Sequence, residues 1–183
     1  MNSNPSFHAI FRKRWAVPVL AQLAVTRGSK MVTLASHLGG SRASIRSSIE
    51  LLESLRLVQP NPGYGHPMRP EYILTERGVL VSKPSMVLIK TLRTLETTDL
   101  GLKRWSMPAM HAIASGADRF NGIAGVLQGA TDRAVSLALH DLHGASLIVR
   151  TLRDGRPPHK VYTLARPAGR ITPVLADLSD ALG

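Results

Sequence analysis

One short segment combines residue types that are suited to binding a polyanion. Between Gly40 and Glu50, two arginines stand four positions apart among serines. Arginine donates paired hydrogen bonds to a guanine edge, and a serine hydroxyl can contact either a base or a phosphate. On a helix, residues four apart share one side. The nucleic-acid contacts predicted here are Ser41, Arg42, Ser44, Arg46, Ser47 and Ser48.

A solvated helix face would have the same composition, and Ser41 would also serve as a helix N-cap. The charge of the chain favours binding, because 23 Lys and Arg face 12 Asp and Glu, a net charge of +11 with histidines neutral. Such a basic chain indicates nucleic acid first and an anionic membrane surface second. The apolar stretch at residues 15–25 is too short to span a bilayer. The sequence also has no basic amphipathic helix with bulky aromatics, so we expect no membrane partner.

The sequence contains few residue patterns that are typical of catalytic or metal sites. The chain has no cysteine, which excludes disulfides, thiolate catalysis and cysteine-based metal sites. His140, Asp141 and His143 lack further ligands at a matching spacing, and residues 39–42 lack the spacing and lysine of a phosphate-binding loop. We therefore expect no enzyme, no metal and no cofactor. No signal peptide pattern is present, which predicts a cytoplasmic, nucleoid-associated protein.

The chain resembles itself when it is shifted by about 90 positions. Lys13-Arg14-Trp15-Ala16-Val17-Pro18 aligns with Lys103-Arg104-Trp105-Ser106-Met107-Pro108, and Tyr72-Ile73-Leu74 aligns with Tyr162-Thr163-Leu164. A slip of one residue aligns residues 34–38 with residues 123–127. An ordered set of matches predicts two copies of one domain in tandem.

Each copy is predicted to contain three helices followed by a β-hairpin. In the first copy, helices are expected from Trp15, at residues 31–38 and from Ser41, the last with Ile45, Ile49, Leu52 and Leu55 on its buried face. Strands at residues 57–59 and 71–75 flank a long turn rich in Pro and Gly, which is typical of a wing. The second copy repeats these elements at residues 105–114, 120–127, 131–142, 147–153 and 159–164, with its wing turn at residues 154–156.

This order predicts a mainly α protein with small β-hairpin wings (α+β), a tandem winged helix-turn-helix with pseudo-two-fold symmetry. A further helix is expected after each wing, at residues 84–95 and 173–182, to pack the copies as an intramolecular pseudo-dimer. The predicted division is a first winged-helix domain at residues 1–83, a connecting and packing helix at 84–100, and a second winged-helix domain at 101–183. The sequence does not decide whether two such chains associate further into a homodimer.

The repeated motifs resemble the HxlR-type regulators, a branch of the MarR-like winged-helix group. Both copies carry Lys-Arg-Trp-x-x-Pro where that family usually has Gly-Lys-Trp, and Glu71-Tyr72-Ile73-Leu74-Thr75-Glu76-Arg77-Gly78 matches the family's Glu-Tyr-x-Leu-Thr-x-x-Gly. The second copy matches this motif less well, with Ala165 where the family has threonine. The resemblance implies binding of double-stranded DNA and regulation of transcription. Family members are typically single-copy homodimers, whereas here both copies lie in one chain.

The two copies differ at the positions that would contact DNA. In the second copy, Asp132 stands where the first has Arg42 and Leu137 where it has Ser47. An acid at a helix start repels phosphate. The predicted contacts there are Thr131, Arg133 and Ser136 on the helix, and Arg153, Arg156 and Lys160, with Arg150, in a basic wing. The alternative is a domain kept for packing, with Leu137 meeting a partner.

In the first wing, His66 and Arg69 are predicted at phosphate or in the minor groove, and a solvated loop is the alternative. Arg12, Lys13 and Arg14 oppose the dipole of the first helix, so either phosphate or a salt bridge must favour them. The leading hypothesis is a transcription regulator that binds duplex DNA with two diverged domains. The main alternative is a replication or partition factor of a mobile element; an adaptor of chromosome-organising complexes and a membrane-surface protein follow.

Overall fold

The computed structural model describes residues 4–63, 70–156 and 158–183, which are mostly helical with small antiparallel sheets. In the first half, residues 4–95, the elements are α1 (Pro5–Ile10), α2 (Ala16–Thr26), β1 (Ser29–Lys30), α3 (Met31–Leu38), α4 (Arg42–Ser54), β2 (Val58–Pro60), β3 (Glu71–Leu74) and α5 (Glu76–Thr94). In the second half they are α6 (Thr98–Gly101), α7 (Ser106–Ala114), α8 (Phe120–Val126), α9 (Asp132–Gly144), β4 (Ile148–Arg153), β5 (His159–Leu164), a 3-10 helix (Arg166–Arg170) and α10 (Thr172–Ala181).

The two halves place three helices and a hairpin in the same order. Helix α8 begins at Phe120, 89 positions after Met31 of α3, and α9 begins at Asp132, 90 positions after Arg42 of α4. Helix α7 begins at Ser106, 90 positions after Ala16 of α2, so the one-residue slip expected from the sequence lies between the first and second helices of each half and is reversed between the second and third.

The hairpins pair as antiparallel strands. In the first half, β3 lies between β1 and β2, with Ser29 opposite Tyr72 and Val58 opposite Leu74. In the second half, β4 and β5 pair over their full length, and a single bridge from Arg119 to Val161 occupies the place of β1. The sequence does not predict β1, because a two-residue strand carries no periodicity.

Helix α5 begins at Glu76, eight residues before the predicted start at Pro84. The Thr75 hydroxyl caps it by accepting a hydrogen bond from the Gly78 amide at 2.9 Å, and it donates to the Arg56 carbonyl at 2.7 Å. A side chain at Gly78 would place its Cβ 1.9 Å from the Leu57 carbonyl oxygen. Thus the Thr-x-x-Gly motif joins the wing to α5, and Pro84 lies within the helix.

The second half forms this junction differently. Ala165 and Ala168 stand at the positions of Thr75 and Gly78, and the segment there is the 3-10 helix rather than the start of a long α-helix. Neither the capping hydroxyl nor the glycine is present, so the close approach of the first half is not available.

One continuous hydrophobic core extends through both halves. Helix α5 packs on α2 and on α10, and α10 also packs on α7. Leu88, Leu92 and Leu178 are fully buried in this core. The Arg77 guanidinium also donates to the Leu182 carbonyl at 2.8 Å, so polar contacts join the same elements.

Helix α1 packs against the second half and holds the beginning of the described chain there. The sequence-based prediction does not include this helix. The Asn4 side chain caps α1 by accepting from the Ser6 and Phe7 amides, and its amide donates to the Ser179 carbonyl of α10 at 2.7 Å. The Phe7 ring lies 4.6 Å from the His111 ring of α7. In the described part of the chain, no helix is both long and apolar enough to cross a membrane.

Candidate nucleic-acid interface

Helix α4 presents a basic, polar face because its apolar residues are used in the core. Ile45, Ile49 and Leu52 are buried, which turns Arg42 and Arg46 outward, and both are exposed. As expected, Ser41 caps the helix, accepting from the Ser44 amide at 3.2 Å. Ser41 and Ser44 are exposed and Ser47 is partly exposed.

The side chain of Ser48, which the sequence analysis counted among the contacts, does not belong to this face. Ser48 is only 1% exposed, and its hydroxyl donates to the Ser44 carbonyl at 2.9 Å. The prediction was wrong here because position 48 lies beside the apolar stripe of Ile45 and Ile49 rather than opposite it.

Tryptophan packing fixes the position where α4 begins. At Gly40, a Cβ atom would lie 2.9 Å from the Trp15 ring and 3.0 Å from Ile45. A glycine is therefore required for α4 to start this close to α2. The ring of Trp15 also lies under the Arg14 guanidinium, and Trp105 lies under Arg104 in the same way.

Helix α9 has the same burial pattern as α4 but a different chemistry on its exposed face. The Thr131 hydroxyl caps it by accepting from the Ala134 amide at 3.2 Å. Arg133 and Ser136 are exposed, so the structure leaves both accessible. They share that surface with Asp132 and with Leu137, which is 57% exposed.

The second wing carries cations on both of its faces. Arg150 pairs with Tyr162 and Leu152 with Lys160, whereas Arg153 pairs with His159. Because paired residues share a face and neighbours along a strand alternate, Arg150 and Lys160 lie on one side and Arg153 on the other. Arg156 follows in the turn, and all four cations are exposed.

The tip of the first wing, with His66 and Arg69, lies outside the described residues. At its base, the Asn61 side chain donates to the Glu71 carboxylate and accepts from the Gly63 amide at 3.0 Å.

Cations that precede the first long helix of each half form ion pairs. Arg14 pairs with Asp99, and Lys103 pairs with Asp141 at 2.7 Å. For Arg14, the salt bridge is therefore the alternative that the structure shows. Asp141 is engaged by this pair, and no group of His, Asp or Glu within the described ranges has the arrangement of a metal site.

A cavity of about 750 Å³ lies beside α4, and no sequence pattern indicates it. Its lining adds Lys30, Glu50, Glu53 and Tyr72 to the two arginines, with Met31, Val32 and Ile49 as apolar walls. Burial raises the pKa of the Glu53 carboxyl, and the nearby Glu50 raises it further. Burial also raises the pKa of the Tyr72 phenol, with Glu53 as the next cause. No signal in the sequence joins Tyr72 to α4, because the fold alone brings them together.

Comparison with known proteins identifies the second half. Residues 100–182 match the family model of the HxlR-like helix-turn-helix, a family of DNA-binding regulators. No curated protein and no solved structure matches the chain. The expected resemblance is thus confirmed for residues 100–182. These residues include the copy whose wing motif departs more from the family pattern.

Proposed function

We propose that this protein is a sequence-specific regulator of transcription that binds duplex DNA with two diverged winged-helix heads. A head here means the third helix and the wing of one half: α4 with β2 and β3, or α9 with β4 and β5. The observation that carries the proposal is the match of residues 100–182 to the HxlR-like helix-turn-helix. The repeated element order extends the proposal to the first half.

The first head supplies most of the base reading in this proposal. Helix α4 lies in the major groove, where Arg42 and Arg46 donate to base edges and the hydroxyls of Ser41, Ser44 and Ser47 contact bases or phosphates. The support is that both arginines are exposed and have no ion pair with any other described residue. An arginine with no partner inside the protein loses no intramolecular ion pair when it binds DNA, so its contact with DNA is not offset by that loss.

The second head mainly holds the DNA backbone. Cations on both faces of its wing suit a minor groove, since a groove presents phosphates on either side of an inserted ribbon. Arg153, Arg156 and Lys160 fill this role, while Thr131, Arg133 and Ser136 of α9 add weaker base contacts. Asp132 at the start of α9 lowers its attraction for phosphate.

The two halves are arranged in this proposal as an intramolecular pseudo-dimer. The packing of α5 on α10 supports it, because helices that follow the wings then join the two domains. A chain with two different heads fits an operator of two unequal half-sites, about one helical turn apart on one face of the duplex.

The experiment is enrichment of genomic fragments by the full-length protein at low salt, followed by footprinting of the enriched fragments. We expect promoter fragments with two protected half-sites of unequal strength. Enrichment confined to iterated repeats at a replication origin would overturn the regulatory role. Failure to enrich any fragment over scrambled duplex would overturn DNA recognition itself.

A further inference from the structure

The cavity beside α4 has the size and the walls of a small-molecule site. It lies between the start of α3, one side of α4 and strand β3, and its volume of about 750 Å³ is within the usual range for organic ligands. Met31, Val32 and Ile49 give it apolar walls. Val32 is 51% exposed, so part of this apolar surface faces the open space of the cavity.

The charges that α4 contributes are sorted along the cavity from one end to the other, and Lys30 of β1 also lines it. Arg42, Arg46, Glu50 and Glu53 all line it and recur on one side of α4. With a rise of 1.5 Å per residue, Arg46 and Glu53 are separated by about 10 Å along the helix axis. A ligand lying along α4 therefore meets guanidinium groups at one end and carboxylates at the other.

The charged groups of α4 have no partners among the described residues. No ion pair or side-chain hydrogen bond joins Arg42, Arg46, Glu50 or Glu53 to another part of the described chain. Glu53 is partly buried beside Glu50, and both burial and this neighbour raise its pKa, so an added cation near the two carboxylates would be favoured. Tyr72 adds a phenol whose pKa is raised first by burial and then by Glu53, with Arg46 acting in the opposite direction.

We propose that this cavity binds a small amphoteric organic molecule and that its occupation excludes base edges from α4. The ligand's carboxylate binds Arg42 and Arg46, its cationic amine binds Glu50 and Glu53, and its apolar body packs on Met31, Val32 and Ile49. Exclusion follows because the ligand and a base edge require the same guanidinium donors. The competition between ligand and DNA rests on the proposed function, whereas the binding of the ligand to the cavity does not.

The site belongs to the first half alone. The positions 90 residues after Arg46, Glu50 and Glu53 are occupied by Ser136, His140 and His143. A ligand of this class therefore acts on the base-reading head and leaves the backbone-holding head unchanged. The expected result is loss of sequence preference with retention of weak, unspecific binding.

The test uses three related probes in calorimetric titrations of the full-length protein. These are 4-(aminomethyl)benzoate, which carries both charges, and 4-methylbenzoate and benzylamine, which carry one each. The double-charged probe makes one more charge-assisted contact than either control, so it should bind about tenfold or more tightly.

Two substitutions separate the ends of the site. Arg46→Gln should weaken binding of 4-methylbenzoate, Glu53→Gln should weaken binding of benzylamine, and each should weaken the double-charged probe about tenfold. Arg93→Gln removes a charge from α5, outside the cavity, and is the matched control. Thermal melting checks that each variant is folded.

The outcomes distinguish this proposal from the proposed function. No binding of any probe at millimolar concentration, equal binding of all three, or equal weakening by Arg93→Gln would each overturn the site. If the probe binds but leaves the affinity for a preferred duplex unchanged, the exclusion is wrong. If the protein binds no DNA, the proposed function fails, while the titrations without DNA still support or overturn the site.

Discussion

Replacement of Arg42 or Arg46 with alanine should remove base recognition without disturbing the fold. Both side chains are exposed and form no ion pair within the described ranges, so truncation should leave the buried core unchanged. A paired hydrogen bond to guanine is worth about 1–3 kcal/mol of discrimination. Each substitution should therefore weaken binding to the preferred duplex about 5- to 150-fold and relax sequence preference there.

The same substitution in the second wing should have a different signature. Arg153→Ala or Arg156→Ala should weaken binding to all sequences alike, because these exposed cations face phosphates in the proposed complex. Each should also reduce the slope of log affinity against log salt by about 0.9. The contrast follows from the exposed surfaces of the two heads, which carry Arg42 and Arg46 on α4 but Asp132 and Leu137 on α9.

Fluorescence anisotropy with preferred and scrambled duplexes at several salt concentrations measures both signatures. Arg93→Ala, which removes an exposed charge from α5, controls for the loss of net charge. If Arg133→Ala in α9 changes base preference as much as Arg42→Ala does, the heads are equivalent readers. The asymmetric account would then be refuted.

Three further predictions concern the stability of the fold. Gly78→Ala should destabilise it by about 1–3 kcal/mol in chemical denaturation, because the new Cβ meets the Leu57 carbonyl oxygen at 1.9 Å, and an unchanged midpoint would contradict this. Ser41→Ala should cost about 1 kcal/mol through the lost cap of α4, and full stability would show that the cap is dispensable. Burial is the main cause that lowers the pKa values of His8 and His111, so unfolding should take up protons. The melting temperature should therefore fall as the pH drops below 6.5. If the double variant His8→Gln with His111→Gln shows the same fall, these histidines are not its cause.

Sequence patterns anticipated the helices whose apolar residues recur at helical spacing. The buried face of α4, its Ser41 cap and its exposed arginines follow from local periodicity and from residue chemistry. The helix α1 was missed, although Asn4 followed by Pro5 is a typical helix start. The predicted start of α5 at Pro84 differs from the observed start at Glu76, because Thr75 and Gly78 determine where the helix begins.

The structural features that the sequence does not predict depend on contacts between segments that are far apart in the chain. The ion pair of Arg14 with Asp99 joins residues far apart in the chain, and so does the contact of Phe7 with His111. The cavity likewise requires Tyr72 of β3 to lie beside α4, which no local pattern encodes. Among the candidate contacts that the structure describes, Ser48 is the one that is buried, since exposure on a helix depends on what packs against its flank.

The most direct test of the central claim is the affinity of the intact protein for an enriched genomic duplex, measured by anisotropy as salt is raised. If six or more cations neutralise phosphates, the affinity should fall by about 10³-fold or more between roughly 50 and 200 mM salt, and a scrambled duplex should bind more weakly at every concentration. Absence of binding at the lowest salt, or equal affinity for the enriched and scrambled duplexes, would contradict recognition of DNA by this protein.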